Sequence, residues 1–289
     1  MKSVPGIFVK KADGTRQVFH RRKVINTCLR MHASKEIAEK IADKIENRLY
    51  DDIPTKQILQ MIFSYLKKYR PVVKHQIDLR RAISLLRPKP DFERFIQMLL
   101  EAHGYTVSCN QIVRGRCVEH EVDAVATKGN KIYLVEIKHH SNHHIYTGLD
   151  VPRIARANLE DLTEGFNLGL HPIDFSEVLV VCNTKFSEHA SRYAKCRGIR
   201  RIGWKTPPKQ GLERMIEEKR LHPVTILKGL NKSNREKLLD SGLILLKQLI
   251  SRDVYELSKK TKIPMKQLTE PVKKAKEILL LSKKEYGII

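Results

Sequence analysis

The sequence predicts a multi-domain α/β protein: a mostly helical N-terminal segment with a small β-hairpin, a central mixed sheet between helices, and an all-helical C-terminal segment. Three observations predict it. Arg87-Pro88-Lys89-Pro90 and Thr206-Pro207-Pro208 divide the 289 residues into segments 1–88, 89–205 and 206–289, because closely spaced prolines cannot continue a helix. Apolar residues recur every three or four positions in the first and third segments, which is the helical period. In the second, short β-branched runs bounded by turn residues alternate with amphipathic stretches, the pattern of a sheet covered by helices.

The first segment opens with GIFVKKADGTRQVFH, residues 6–20, two short strand-like runs about the tight-turn pair Asp13-Gly14. Helical spacing follows at Val24, Ile25 and Leu29, at Ile37, Ile41 and Ile45, and at Ile58, Leu59, Ile62 and Leu66. Thr55, after Pro54, stands where a hydroxyl can cap the third of these helices.

In the second segment Asp91 is placed to cap a helix with the stripe Phe92, Phe95, Ile96, Leu99 and Leu100, and Gly104 to end it. Strands are expected over 105–109, 118–127 and 131–139, with a basic loop carrying Arg114 and Arg116 between the first two. Asp150 and Pro152 suit the cap and first turn of a helix reaching Phe166. Glu177–Cys182 reads as a buried strand, 187–197 as a helix stopped by Gly198, and 199–204 as a last short strand.

The stretch EHEVDAVATKGNKIYLVEIKHH, residues 119–140, carries the chemistry. With Gly129 and Asn130 at the turn of a hairpin, Asp123 lies opposite Glu136 and Glu121 opposite Lys138, all on one face. Directly opposed Cβ atoms are roughly 5 Å apart, a spacing at which two carboxylates hold one hard divalent cation, with Lys138 beside them. Val125, Ile132 and Leu134 share that face, and Val122, Ala124, Tyr133, Val135 and Ile137 take the other, so both faces are expected to be covered. Adjacent carboxylates on a covered sheet repel and lose solvation unless a cation compensates. His139, His140, His143 and His144 crowd the end of the same strand. Ser141 and Asn142 make that stretch a loop, for which a DNA phosphate contact or plain solvation is expected ahead of a zinc site.

Lys plus Arg is 55 against 32 acidic residues, a net +23. Such an excess points to a polyanionic partner, with nucleic acid ahead of a membrane because no apolar run approaches spanning length. Five scattered cysteines without CxxC pairs exclude a zinc ribbon or a disulfide framework as readings. No secretory signal is visible, and a cytoplasmic location is expected.

Asp123 together with Glu136-Ile137-Lys138 resembles the signature of the PD-(D/E)XK nuclease superfamily. Within it, F-E-R-F-I-Q-M-L-L-E-A-H-G-Y-T-V, V-V-C-N-T-K-F-S-E-H-A and A-K-C-R-G-I are most similar to the Mrr branch of restriction endonucleases. The resemblance implies a restriction-endonuclease-like central fold and Mg2+ or Mn2+ held by Asp123 and Glu136, with Glu93 on the first helix as a third acid. It also implies that Lys138 orients or helps deprotonate the attacking water, and that the product carries a 5′ phosphate. Val122 stands where the signature has Pro, and Glu136 where many Mrr proteins have Gln. Archaeal Holliday junction resolvases share the first helix and acidic pair, so a branched-DNA resolvase is the alternative enzyme. A non-cleaving, nucleotide-responsive DNA-binding protein is the alternative outside catalysis.

V-K-K-A-D-G, F-H-R-R-K-V and I-P-T-K-Q-I resemble the ATP-cone domain, an allosteric nucleotide-binding module. The resemblance places Lys11, His20, Lys23 and Thr55 against ATP or dATP, with Val18 and Phe19 near the base. No G-x-x-x-x-G-K-[ST] loop occurs, so the nucleotide is expected to regulate and not to be hydrolysed. In the third segment Leu238, Leu239, Leu243, Leu245, Leu246, Leu249 and Ile250 surround D-S-G-L and resemble a helix-hairpin-helix domain, with Lys262-Ile263-Pro264 as a degenerate second hairpin. In that family the hairpin amides receive a DNA phosphate. The segment's 19 basic against 10 acidic residues fit such a partner, and a homodimer is left open.

Overall fold

The computed structural model describes residues 6–31, 33–69 and 76–285; the outermost residues of the first and third segments lie outside them. Two compact units result, one running through Ile77 and the other over Asp78–Ser282.

In the first unit, β1 (Phe8–Lys10) and β2 (Arg16–Val18) form the expected hairpin, in the register Phe8–Val18 to Lys10–Arg16. Gly14 supplies the positive φ of +83° that the turn demands. A third strand, β3 (Ile53–Pro54), joins β1 in parallel; two residues carry no periodicity, and the sequence reading missed it. Helices α1 (Arg21–Arg30), α2 (Lys35–Glu46) and α3 (Thr55–Tyr69) bury Cys28, Ile41, Ile45, Ile62 and Leu66. Phe19, expected near a base, belongs instead to this core, and Leu29 is exposed.

The second unit opens with α4 (Leu79–Ser84), a wide turn at Pro88–Phe92 and α5 (Glu93–Ala102). Next come β4 (Thr106–Arg114), β5 (Glu119–Lys128), β6 (Lys131–Lys138) and the short β7 (Tyr146–Thr147). They are followed by α6 (Asp150–Asn167), β8 (Glu177–Cys182), β9 (Lys185–Phe186), α7 (Glu188–Cys196) and β10 (Arg200–Ile202). The main sheet has the order β10-β8-β6-β5-β4. β4, β5 and β6 are antiparallel neighbours and β6, β8 and β10 parallel ones, giving the mixed sheet that was expected. α5 packs on β4 and β5, and α6 on β8 and β6. The four large apolar residues of the α5 stripe, Phe95, Ile96, Leu99 and Leu100, are fully buried.

Several local expectations change. Asp91 is fully buried and caps no amide of α5; Arg87 holds it through Nε at 2.6 Å and Nη2 at 3.0 Å. Asp150 is the first helical residue of α6, with Leu149 before it as the cap. β4 continues through Arg114, and the loop arginines are ion-paired, Arg114 with Glu119 at 2.7 Å and Arg116 with Glu164 at 3.0 Å. Removing Arg87 leaves the buried Asp91 carboxylate uncompensated, so Arg87→Ala should destabilise this unit by about 3 kcal/mol. Urea unfolding followed by the fluorescence of buried Trp204, which lies in this unit, measures that loss.

The C-terminal helices are α8 (Leu212–Lys219), α9 (Lys232–Asp240), α10 (Leu246–Ile250), α11 (Val254–Thr261) and α12 (Met265–Glu285). The α9–α10 turn uses Gly242 at φ +72° and the α11–α12 turn Lys262 at φ +55°, each followed by a buried aliphatic, Leu243 and Ile263. In the first turn, where a phosphate contact was expected, three successive amides already have protein acceptors. Ile244 and Leu245 donate to Gln248 Oε1 at 2.8 and 2.9 Å, and Leu246 donates to the His222 carbonyl. In the second turn Lys262 and Pro264 are exposed, with exposed Lys259, Lys260 and Lys266 around them.

Candidate active site

The β5–β6 register is the one the turn dictates, running from Lys128–Lys131 to Ala124–Val135. Asp123 comes next, and there the ladder gives way on both sides. Toward β6 its Oδ2 accepts the Ile137 N–H at 2.7 Å, so the side chain takes a strand's place. Toward β4, Asn110 between the pairs Cys109–Ala124 and Gln111–Val122 adopts φ +52°, a left-handed conformation that Asn tolerates better than most residues. Such breaks re-aim side chains and are common beside functional sites. One carboxylate oxygen of Asp123 is thereby fixed, and Oδ1 is left to face the site.

Glu93, at the start of α5, is 4 % exposed and reaches the same place. The link between them is Lys89, which the sequence reading treated only as linker. Its Nζ lies 2.7 Å from Glu121 Oε1, 3.3 Å from Glu93 Oε1 and 3.5 Å from Asp123 Oδ1. The hydrogen bond to Glu121, and then the charges of Glu93 and Asp123, raise the Lys89 pKa. Glu136 is half-buried on the adjoining strand. Burial first and Asp123 second push its carboxyl up to about 7, against the opposing pull of Lys138 and Lys89. Burial likewise raises Glu93. Lys138, two residues beyond Glu136, is exposed on the Glu136 side of the strand. Glu121 is bound to Lys89 and not to Lys138.

Glu93, Glu121 and Asp123 thus converge on the Lys89 ammonium, with Glu136 near Asp123 and exposed Lys138 two residues beyond it, an acid-rich place whose charge suits a divalent cation. The donors are all hard oxygens, the set that Mg2+ prefers. As the side chains stand, no three His, Cys, Asp or Glu residues among the described ones form a group that could hold a metal ion.

The histidines after Lys138 brace the strand end. His139 Nε2 meets the Ile83 carbonyl at 3.2 Å with its ring against Phe92, and His143 Nδ1 meets Ser84 Oγ at 3.3 Å, so both dock on α4. Fully buried Asn183 clasps His140 at both backbone atoms, 2.8 and 2.7 Å. Burial lowers the pKa values of His139, His140 and His143, the last to about 4. The His139 and His143 rings thus brace the strand end, while Ser141, Asn142 and His144 are exposed, as the solvated-loop reading expects. Nothing in the sequence pattern around Asn183 marks it for this role.

In the first unit, the pairing Lys10–Pro54 sets Lys11 beside Thr55 at one end of β1. His20 and Lys23 begin α1, past the strand end marked by the pair Phe8–Val18. The four residues therefore fall in two groups separated by the length of β1, roughly 10 Å.

No helix among the described residues is long and apolar enough to cross a membrane. Residues 7–87 match the ATP cone domain, 87–203 the family described as restriction endonuclease, and 222–279 the AF1548-like C-terminal family. An uncharacterized protein of Archaeoglobus fulgidus is 35% identical over 189 residues, 65% of this chain and 98% of its own. A crystal structure of the protein of unknown function AF1548 superposes with a TM-score of 0.54 at 32% identity, covering 70% of this chain and 98% of that one. The transcriptional repressor NrdR of Caldicellulosiruptor saccharolyticus is 34% identical over 101 residues, 63% of its length and 32% of this chain. Near-complete coverage of these relatives at this identity, together with the match of residues 222–279 to the AF1548-like C-terminal model, makes this chain a member of the AF1548-like family.

Proposed function

We propose that the protein is a nucleotide-regulated, metal-dependent DNA endonuclease acting in the cytoplasm. The observation that carries the reading is that Glu93 and Asp123 converge on one ammonium at a break in the ladder, with Asp123 near enough to raise the Glu136 carboxyl and Lys138 on the Glu136 strand. Asp123, Glu136 and Glu93 would hold Mg2+ or Mn2+, which when bound polarises the scissile phosphate and acidifies water. Lys138 orients the attacking water, helps take its proton and counters the negative charge that grows on the phosphorane. Ile137 N–H keeps Asp123 in one orientation, and the clasp of Asn183 on His140 keeps the end of β6 from fraying, so Lys138 stays in reach. The net charge of +23 supplies the affinity for DNA.

Incubation with Mg2+ and plasmid, single-stranded and branched DNA tests the reading. Metal-dependent cleavage with 5′ phosphate ends supports it, and preference for branched DNA would select the resolvase form. DNA binding without cleavage of any of the three would leave a sensor that keeps the fold as a scaffold.

In the first unit ATP or dATP would lie along β1, with phosphates toward Lys11 and Thr55 or toward Lys23 and His20. Of Lys11→Ala and Lys23→Ala, the one at the phosphate end should weaken nucleotide binding by about tenfold, the loss of one charge-assisted contact, and so decide between the two orientations. That variant should lose the nucleotide effect on cleavage at concentrations that just saturate wild type and keep basal cleavage. Calorimetry without nucleotide binding at millimolar concentration would dispose of the regulatory role.

DNA contact by the C-terminal helices is placed at the second turn, because its lysines are exposed whereas the Ile244, Leu245 and Leu246 amides of the first turn already have acceptors. Replacing Lys259, Lys260 and Lys262 together by Ala should weaken DNA binding uniformly across sequences. It should also flatten the slope of log affinity against log salt by about 2 to 3. An unchanged slope in a fluorescence-anisotropy titration would move the DNA face elsewhere.

A further inference from the structure

Lys89 is the cation closest to the acidic side chains of the candidate active site, and its position is built. The turn that carries it is pinned by Arg87, which grips buried Asp91 at 2.6 Å and reaches Asp240 at 2.7 Å. From that turn the Lys89 ammonium enters the space between Glu121, Glu93 and Asp123, at 2.7, 3.3 and 3.5 Å. An ordinary surface ion pair joins two exposed partners. Here the Glu93 and Asp123 side chains are only 5% and 12% exposed, and carboxylates so placed need a cation to offset lost solvation.

A Mg2+ ion needs oxygens at roughly 2.0–2.1 Å in near-octahedral array. The oxygens of Glu93 and Asp123 face the point where the ammonium now sits, too close for a second cation to join it.

We propose that Lys89 is an internal counter-cation that occupies the metal position of the empty enzyme, and that metal enters only as its ammonium withdraws. The proposal rests on the reading of Asp123 and Glu93 as metal ligands and adds their regulation. Loading is then a competition, and the apparent metal affinity is the intrinsic one reduced by the fraction of molecules whose Lys89 has left. Lys89 lies two residues beyond the end of the ATP cone match, and Arg87 ties its turn to α9. Displacement of this turn would open the site without moving the catalytic strands.

Calorimetric titration of the full-length protein with Mn2+, and with Ca2+ as a metal that need not support cleavage, tests the proposal. Lys89→Met, with Lys89→Gln as a second variant of the same charge, should bind either ion at least about tenfold tighter than wild type. Lys89→Arg, which keeps the charge, should stay near wild type. Arg94→Met removes a cation from the exposed position next to Glu93 and should change affinity less than about threefold.

Equal affinities of wild type and Lys89→Met, or an equal gain in Arg94→Met, would overturn the plug and leave the metal ligands standing. Loss of cleavage in Lys89→Met at unchanged metal affinity would also overturn it, making Lys89 a group that serves the substrate. Failure of both wild type and Lys89→Met to bind either ion would bring down the metal-site reading itself.

Discussion

Asp123→Asn, Glu136→Gln and Lys138→Met should each lower DNA cleavage by about a thousandfold or more while DNA affinity stays within about threefold of wild type. Removing a carboxylate takes away a metal ligand, and removing Lys138 takes away the group that positions water and meets the developing charge; general-base and electrostatic contributions of this kind are each worth about two to four orders of magnitude. DNA affinity rests instead on 55 basic residues, of which one is lost at most. Single-turnover cleavage and an anisotropy titration in Ca2+ separate the two quantities. Full cleavage by Asp123→Asn, or by wild type in excess EDTA, would remove the metal mechanism. Glu93→Gln gives the finer test. Buried and linked to Asp123 only through Lys89, Glu93 should produce a loss that falls as Mn2+ is raised if it is a third ligand.

The hairpin was legible because Gly129 and Asn130 fix a turn, and a period-two register then assigns the pairs from Lys128–Lys131 to Ala124–Val135. The order of helices and strands around it was legible for the same reason, since each helix has an apolar stripe and each strand a β-branched run. The break at Asp123 was not. It depends on Asn110 taking a left-handed conformation and on a side-chain acceptor replacing a backbone one, and neither changes the alternation of apolar residues. Lys89 was hidden differently: between two prolines it reads as a solvated linker residue, and only the fold of the Pro88–Phe92 turn brings it against Glu93 four positions on. The first C-terminal turn has the glycine and aliphatics of a phosphate-binding hairpin, yet Gln248, six residues after the glycine, satisfies its amides from within. Local pattern gives the turn, and the tertiary partner of each amide decides what the turn can do.

Glu136→Gln should also change how stability depends on pH, by about 3 kcal/mol. With its folded pKa raised by burial to about 7 from the ordinary 4.5, Glu136 holds a proton in the folded state that the unfolded chain has released. Between pH 4.5 and 7 the wild type therefore loses stability as pH rises, about 1.4 kcal/mol per unit of separation, and the loss is complete above pH 7. His139, His140 and His143 act in the opposite sense. Their folded values are lowered by burial, so the unfolded chain takes up protons first as pH falls below 6.5, and stability falls with it. In the wild type the two trends overlap and partly cancel, so its own pH profile does not isolate either group. The difference does: the unfolding free energy of Glu136→Gln minus that of wild type should grow by about 3 kcal/mol from pH 4.5 to 7 and then level, measured in EDTA by urea unfolding through Trp204 fluorescence. A flat difference would mean that Glu136 ionises normally, in contact with water. Saturating Mg2+ should remove the Glu136 part of the wild-type loss, because a bound divalent cation favours the ionised carboxylate at every pH in the window.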